Sequence, residues 1–534
     1  MSTPETADRK ERARSLSGLL LRRDGQFHYG LLLLAAAVFL WMVLAPPPAS
    51  LVRLVQEENP LGYQFTGGAT TIAENVSRIM GRSLTPEEVA HKAQVMVAVL
   101  CTAAFLWATE AIPLGATDLL VGGLLYLFSI LPLDSISKAY MKDAVLFIFG
   151  VLTIAVGVSV SGLDRRLAVF LLGGVTGLKS FCFILYPALA LGAGFFSEHA
   201  LVAILIPVLM GVYRAVCDHS GIENDRALAV LLLLGVCFAC NQGGPASPAA
   251  GGRNAIMIGY FRDYQQPMSF GRWVLYGLPY VAVVSLVLAA FMYITLRRRI
   301  RVRDVNFARF ARQRLKRMGP MGRKEIVMAA ILLAVAVLWI AASERFGLGG
   351  PSIFGVVLML AFRIIRWSDI QGKVRFDVVG LYAAACAIGV GLRVTGGSLW
   401  LARVAVGWLP DAMQHGEPLV MAISFFTGTL TNFMSDGATV AAIGPIALSM
   451  GQVAGVHMWQ MGLACAFSSS FANITIIGTP NNAIAYVGST DPKTGERLLR
   501  IRDFAMYGIP VTLLAFLVLW LWGICGYWRW MAWG

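Results

Sequence analysis

Two short polar interruptions stand inside long apolar stretches, Ser197-Glu198-His199 and Ser435-Asp436-Gly437. Each puts a carboxyl group where hydrocarbon is expected. Ionised, such a group holds a cation and repels an anion. Protonated, it keeps the shape of an amide and gives up a proton when water reaches it, because desolvation disfavours the charged form. His199 adds a donor of the kind whose charge changes nearest neutral pH; its plainer reading is a histidine hydrogen-bonded within its own hairpin. Arg253, Asp118 and Arg393 are further charges within or beside apolar spans, where ionisable groups are costly and normally paired. Arg253 can offset Glu198 or meet an anionic ligand. Arg393 can pair with Asp436 or Asp118, and the plainer reading of Arg393 and Asp118 is a set of fixed ion pairs holding helices together.

The elements that must position these groups repeat. Ser197, Ala200, Val202, Ala203 and Pro207 recur at a constant offset as Ser435, Ala438, Val440, Ala441 and Pro445. A second matched pair follows each: Phe238-Ala239-Cys240-Asn241 leading to Gly252-Arg253-Asn254-Ala255-Ile256, and Phe471-Ala472-Asn473 leading to Gly478-Thr479-Pro480-Asn481-Asn482-Ala483-Ile484, with a short insertion expected in the first copy. Arg253 falls opposite Asn481, and Arg393 opposite Ser159. The segments 180–217 and 417–453 are long, apolar and interrupted near their middles, and read as re-entrant helical hairpins. Tips at membrane depth leave helix-end amides and carbonyls that only a wet or ligand-filled cavity can satisfy. Helix N-termini there suit an anion and C-termini a cation. The breaks at Gly251-Gly252 and Gly478-Thr479-Pro480 offer free backbone to complete such a cage. The two hairpins open to opposite sides, so the repeats are expected to be inverted, with a shared site near the midplane.

Composition sets the solvent. The chain is 57% hydrophobic and 14% charged, against roughly 45–50% and about 25% in a soluble domain, which excludes a soluble enzyme. Apolar runs near the roughly 20 residues needed to cross about 30 Å of hydrocarbon recur without the strand-like alternation of a barrel. The net charge of +14 does not indicate nucleic acid, because its basic residues concentrate at Arg9, Lys10, Arg12, Arg14, Arg22 and Arg23 and between Arg297 and Lys324, both beside apolar spans. Eight cysteines, mostly within spans, give neither a disulfide framework nor a zinc site; Cys237 and Cys240 read as small packing residues. The N-terminus lacks an early cleavable apolar core and reads as retained.

The expected architecture is an all-α polytopic membrane protein with eleven crossings, near 28–47, 93–111, 114–133, 144–163, 227–262, 272–296, 325–343, 351–366, 377–397, 459–488 and 506–528, plus the two hairpins. Its parts are a basic cytoplasmic N-terminus (1–27), a first helix with an extracytoplasmic segment (28–92), a first repeat (93–296), a basic cytoplasmic linker (297–324), a second inverted repeat (325–528) and a tail (529–534). The loops holding Arg165 and Arg166, Arg297 to Lys324, Arg363 to Arg375 and Lys493 to Arg502 are all basic. This places the chain in the cell inner membrane with its N-terminus in the cytoplasm and its C-terminus outside. Ser468, Ser469 and Ser470 read as interhelical contacts, and Trp528 and Trp530 as interfacial anchors.

The run Trp107-Ala108-Thr109-Glu110-Ala111-Ile112-Pro113-Leu114 resembles the Trp-x-Thr-Glu-Ala-Ile-Pro signature of the divalent anion/sodium symporter family. So do Thr431-Asn432-Phe433-Met434-Ser435 followed by Ala438-Thr439, and Gly478-Thr479-Pro480-Asn481-Asn482-Ala483; the likeness runs from about residue 93 onward. The resemblance implies an elevator-type secondary transporter of dicarboxylates, citrate or sulfate, usually sodium-driven, a homodimer whose mobile transport domain slides against a fixed scaffold. It implies substrate contacts at Ser197, Glu198, His199, Gly252, Arg253, Asn254, Ser435, Asp436, Gly437, Thr479, Pro480 and Asn482. Coupling-ion positions follow at Ala193, Ser197, Glu198, Gly251, Thr431, Met434, Asp436 and Gly478, sodium being the one metal expected. Family members carry Ser-Asn-Thr at each hairpin tip; here both asparagines are acids and both threonines are lost.

Three functions remain open on sequence alone. The first is an anion transporter coupled to protons or sodium, with no cofactor, whose partners are a small anion, the bilayer and a second copy, not nucleic acid. The second is a cation/proton antiporter exchanging at Glu198 and Asp436. The third is a membrane enzyme or receptor, which no nucleophile, metal cluster or sensing domain supports.

Overall fold

The computed structural model describes residues 23–24, 27–195, 198–302, 307, 316, 318–491 and 493–531. Ser197 and most of the basic N-terminus lie outside the described residues, as does part of the 297–324 linker. The chain packs into two units: 1–142 with 376–414 and 441–456, and 143–375 with 415–440 and 457–534. Each draws on both halves of the sequence.

In the first unit, the Tyr29–Leu44 helix stops at Pro46-Pro47-Pro48, which supply no backbone donors, and Ala49–Gln56 leaves at 56° to it. The helix Pro86–Thr109 begins with Pro86 behind a Thr85–Glu88 capping box. It ends where Glu110 takes a left-handed conformation, φ 46°. The helix Phe376–Thr395 packs on Pro86–Thr109 and on Leu114–Leu127. The 50–92 segment is a folded part of this unit: Leu51, Val55, Ile72 and Val76 are buried, Tyr63 donates to the Val394 carbonyl at 2.6 Å, and Arg403 grips both Glu57 oxygens at 2.6 and 3.0 Å.

In the second unit, Asp143–Ser161 packs along Gly349–Ala361, closely enough that a Cβ on Gly150 would strike Ser352. The Arg226–Ala246 stretch runs through the middle, 94% of its apolar window buried, whereas Arg323–Phe346 is only 28% buried and turns Leu333, Val337 and Ile340 outward. An apolar face of that length left uncovered is suited to lipid rather than water. Arg166 pairs with Glu325 at 2.9 Å, Arg226 with Asp503 at 2.6 and 2.7 Å, and Arg214 with the buried Asp491. Asp225 accepts from the Arg301 and Val302 amides at 2.6 and 3.1 Å, fixing the start of the linker. Trp530 is exposed, as an interfacial residue would be, but Trp528 is buried against Tyr276 and Phe467 and so belongs to the core.

Among the described residues nine helices are long and apolar enough to cross a membrane, ten if the bent pair counts as one. The stretches expected as hairpins each hold two successive helices, Leu178–Ala193 and Glu198–His219 in one, Gly416–Leu430 and Asp436–Ala454 in the other. The stretches 227–262 and 459–488 are each broken, and their second helices start at the expected Gly251-Gly252 and Gly478-Thr479-Pro480. The first divides into Arg226–Ala246 and Gly252–Asp263, the second into Met458–Ser468 and Pro480–Gly488. Glycine, proline and side-chain bonds to backbone account for both interruptions, as the site shows.

Candidate functional site

The two tip acids are the first residues of their helices, Glu198 of Glu198–His219 and Asp436 of Asp436–Ala454. Arg253 sits in the first turn of Gly252–Asp263, and all three belong to the second unit. The guanidinium donates to both oxygens of Glu198, at 3.0 and 3.2 Å, and to Oδ2 of Asp436. Asp436 Oδ1 accepts from the Gly437 amide at 2.7 Å. Arg253 is 1% exposed and Glu198 2%, while the Asp436 side chain is 17% exposed. A buried arginine needs this many acceptors, since burying one unpaired charge costs several kcal/mol. Two glycines make its berth: a Cβ on Gly244 would collide with the guanidinium and with Ser470 Oγ, and one on Gly251 would lie 3.0 Å from the guanidinium nitrogen.

Around this centre the breaks are held open by asparagines. Asn254 Nδ2 donates to the carbonyls ten and seven residues back, Gly244 and Ser247, at 2.8 and 2.7 Å. Asn482 Nδ2 donates to the carbonyls ten and seven residues back, Ala472 and Thr475, at 2.8 and 2.6 Å. Ser247 Oγ donates to the Gly194 carbonyl and Thr475 Oγ1 to the Asn432 carbonyl. The two breaks are thus held by the same bonds at the same spacings. These bonds also correct the expected register: Gly244 is the counterpart of Ala472 and Ser247 of Thr475, so no insertion separates the copies between Gly244 and Ile256.

The copies differ where chemistry would be done. Asn481, opposite Arg253, accepts through Oδ1 from His199 Nδ1 at 2.8 Å and donates through Nδ2 to Asn241 Oδ1 at 2.8 Å. Asn241 continues to Asn473 and Asn482, each at 3.2 Å, and Cys237 Sγ donates to Asn482 at 3.1 Å. His199 Nε2 stands 4.0 Å from Glu198, so the histidine bonds across to the other break rather than within its own hairpin.

The remaining expected positions are mostly backbone supports. Ser435 Oγ accepts from the Ala438 amide at 3.4 Å, leaving Gly437 in the first turn. Gly251 and Thr479 are the extended residues ahead of their helices, and Pro480 starts its own. Ala193 is buried at the end of its helix beside Gly243. Thr431 Oγ1 donates to the Ser469 carbonyl at 2.8 Å, Met434 is buried, and a Cβ on Gly478 would lie 3.0 Å from the Thr431 carbonyl. Ser468 and Ser469 bond back to their own helix rather than across to another. Ser470 Oγ and both polar atoms of Gln242 are buried without a hydrogen-bond partner, a condition characteristic of groups that meet water or solute. Sequence reading missed Asn241, Asn473, Gln242 and Gly244; the clustering of polar residues just before each break was the signal available.

Asp118 and Arg393, both in the first unit, do not take the partners expected of them. Asp118 accepts from Trp107 Nε1 at 3.1 Å, so the signature tryptophan holds this acid with a neutral donor. Arg393 Nε is buried without a hydrogen-bond partner among the described residues, and Asp436 is taken by Arg253.

Comparison with known proteins gives the same picture. Residues 76–534 match the family model described as the sodium:sulfate symporter transmembrane region. A membrane protein of Cupriavidus necator is 24% identical over 475 residues, 84% of this chain and 90% of its own. The sodium-dependent dicarboxylate transporter SdcS of Staphylococcus aureus is 24% identical over 462 residues, 81% of this chain and 86% of its own. The structure of Neisseria gonorrhoeae MtrF, which represents a class of antimetabolite efflux pumps, shares the fold at a TM-score of 0.52 and 13% identity, over 82% of this chain and 94% of that one. With a family match across most of its length, on a polytopic helical fold with paired breaks, this chain belongs to the sodium:sulfate symporter family, the divalent anion/sodium symporters, whose members are transporters and not enzymes.

Proposed function

We propose that this chain is a secondary active transporter of a small anion, of dicarboxylate, tricarboxylate or sulfate type, driven by protons or sodium through alternating access. The observation that carries the reading is Arg253, a buried permanent cation seated by two glycines between the starts of two helices. Helix starts present free amides and partial positive charge, and arginine is the side chain best matched to planar or tetrahedral oxyanions. The family match and the dicarboxylate transporter among its relatives support the same solute class.

Two carboxylates and one guanidinium carry one formal negative charge in excess. A cation or proton taken up with the anion would neutralise that excess and leave the helix ends to favour the anion, which is the task the driving ion performs in this reading. Cation exchange is less well supported, since the oxygens it would use are engaged by Arg253 and the Gly437 amide. The repeated break design supports inverted repeats around a shared site, in the elevator-type arrangement that the family resemblance implies. Assembly as a homodimer, and an inner-membrane orientation with the N-terminus inside, complete the reading on family resemblance and loop charge.

The test is uptake of labelled succinate, citrate and sulfate into proteoliposomes under an imposed pH or sodium gradient. At least one anion should accumulate unchanged and respond to a gradient. No uptake of any of them, or gradient-driven cation exchange in their place, would overturn the reading.

A further inference from the structure

Arg253 does for the tips what a free cation would otherwise have to do. Resting on the proposed anion transport, we propose that its guanidinium is a tethered counter-cation, so that this chain binds its anion without sodium or any other free metal cation. The expected coupling-ion positions include Glu198 and Asp436, and a sodium ion there would need their oxygens. All four are already engaged: both of Glu198 and one of Asp436 accept from Arg253, and the last accepts from the Gly437 amide. A metal ion entering between them would have to displace a group that is always charged and holds its acceptors in a fixed fork.

The surroundings are shaped to the guanidinium rather than to an ion. Gly244 and Gly251 leave its volume clear, and Ser470 Oγ lies on the same side, within 2.7 Å of the place a Gly244 Cβ would take. Gly251, expected to offer its backbone to an ion, has its carbonyl accepting from the Asn254 amide at 3.2 Å, and the side where a Cβ would stand is filled by the guanidinium. In the second copy, Thr431 and Asn432 are committed as well, the Thr431 hydroxyl to the Ser469 carbonyl and the Asn432 carbonyl to Thr475. The copies are therefore unequal: one break carries its own cation, and the matching position in the other is the neutral Asn481.

The test uses the purified full-length protein, with thermal stabilisation by sulfate, succinate and citrate, as choline salts, titrated in sodium chloride and in choline chloride of equal ionic strength. The expected result is that a probe which stabilises in sodium does so in choline with an affinity within about twofold. Stabilisation confined to sodium overturns the tethered cation and leaves anion transport standing; no stabilisation by any probe in either medium removes both. A second arm uses Arg253→Gln, which opens a gap between two carboxylates. Its affinity in choline should fall by at least about tenfold and recover when sodium or guanidinium ion is added. A cooperatively unfolding variant that binds as the wild type does in choline, or that neither cation restores, overturns the inference. If the variant does not fold, the wild-type comparison decides.

Discussion

Glu198 and Asp436 occupy equivalent places in the two copies but are held differently. Glu198 is buried and gives both oxygens to Arg253, whereas Asp436 gives one oxygen to Arg253 and keeps part of its side chain exposed. Glu198→Gln should therefore lower stability by about 3–5 kcal/mol, the cost of stranding a buried charge, and Asp436→Asn by distinctly less, both read as thermal unfolding in detergent. Asp436→Asn should also abolish acid-driven accumulation while leaving anion exchange at equilibrium intact, as measured by counterflow. Gly244→Ala pushes a methyl group into the guanidinium and Ser470; uptake should drop at least about tenfold, whereas Gly123→Ala, at a position open around its added carbon, should leave it unchanged. Polar interruptions in apolar runs were enough to single out Glu198, Arg253 and Asp436 from the sequence, and pairing of Arg253 with Glu198 was foreseeable. That Arg253 also holds Asp436 was not, because spacing along a chain does not say which side chains from distant breaks point at one place. Asp118 misled for a related reason: a buried acid suggests a cation, yet an indole donor from Trp107 serves.

At the scale of elements, the breaks in Arg226–Asp263 and Met458–Gly488 are made by side chains that take over backbone duties. Asn254 and Asn482 each cap two carbonyls that an unbroken helix would have paired with its own amides. Replacing either by alanine should cost about 1–3 kcal/mol for the buried acceptors left unpaired. Asn482 should be the dearer loss, because it also accepts from Asn241 and Cys237. Equal thermal shifts for both variants would contradict that ranking. The repeat was visible in the sequence as matched tips and matched Asn-Ala-Ile runs. Its register before the breaks was not, since Phe-Ala pairs at Phe238 and Phe471 look alike while the bonds align Gly244 with Ala472. Hydropathy ran through each break, because a few small residues barely lower an average taken over a membrane thickness, and it was glycine and proline at Gly251-Gly252 and Gly478-Thr479-Pro480 that marked where the second helices start.

For the whole molecule, composition and span count sufficed for the class, and outward leucines such as Leu333 bear it out. Within the stretch expected as a first helix with an extracytoplasmic segment (28–92), the helices Ala49–Gln56 and Ile72–Met80 bury one face in the first unit, an arrangement set by partners remote in sequence. Arg403 exemplifies this: its hydrogen bonds to Glu57 hold that carboxyl below its ordinary range. A depressed native value stabilises above the unfolded one and is lost as pH falls through the native one. Arg403→Gln should thus cost at most about 1 kcal/mol near neutral pH, given how exposed the pair is, and nothing once acid has protonated Glu57, as followed by thermal unfolding against pH. The claim on which the rest depends is that the Arg253 centre is where the anion binds. Counterflow of labelled succinate, citrate and sulfate in sodium-free proteoliposomes tests it most directly. Wild-type protein should exchange at least one of them and Arg253→Gln, reconstituted to the same density, should not; exchange of that anion by the variant at the wild-type rate would contradict the account.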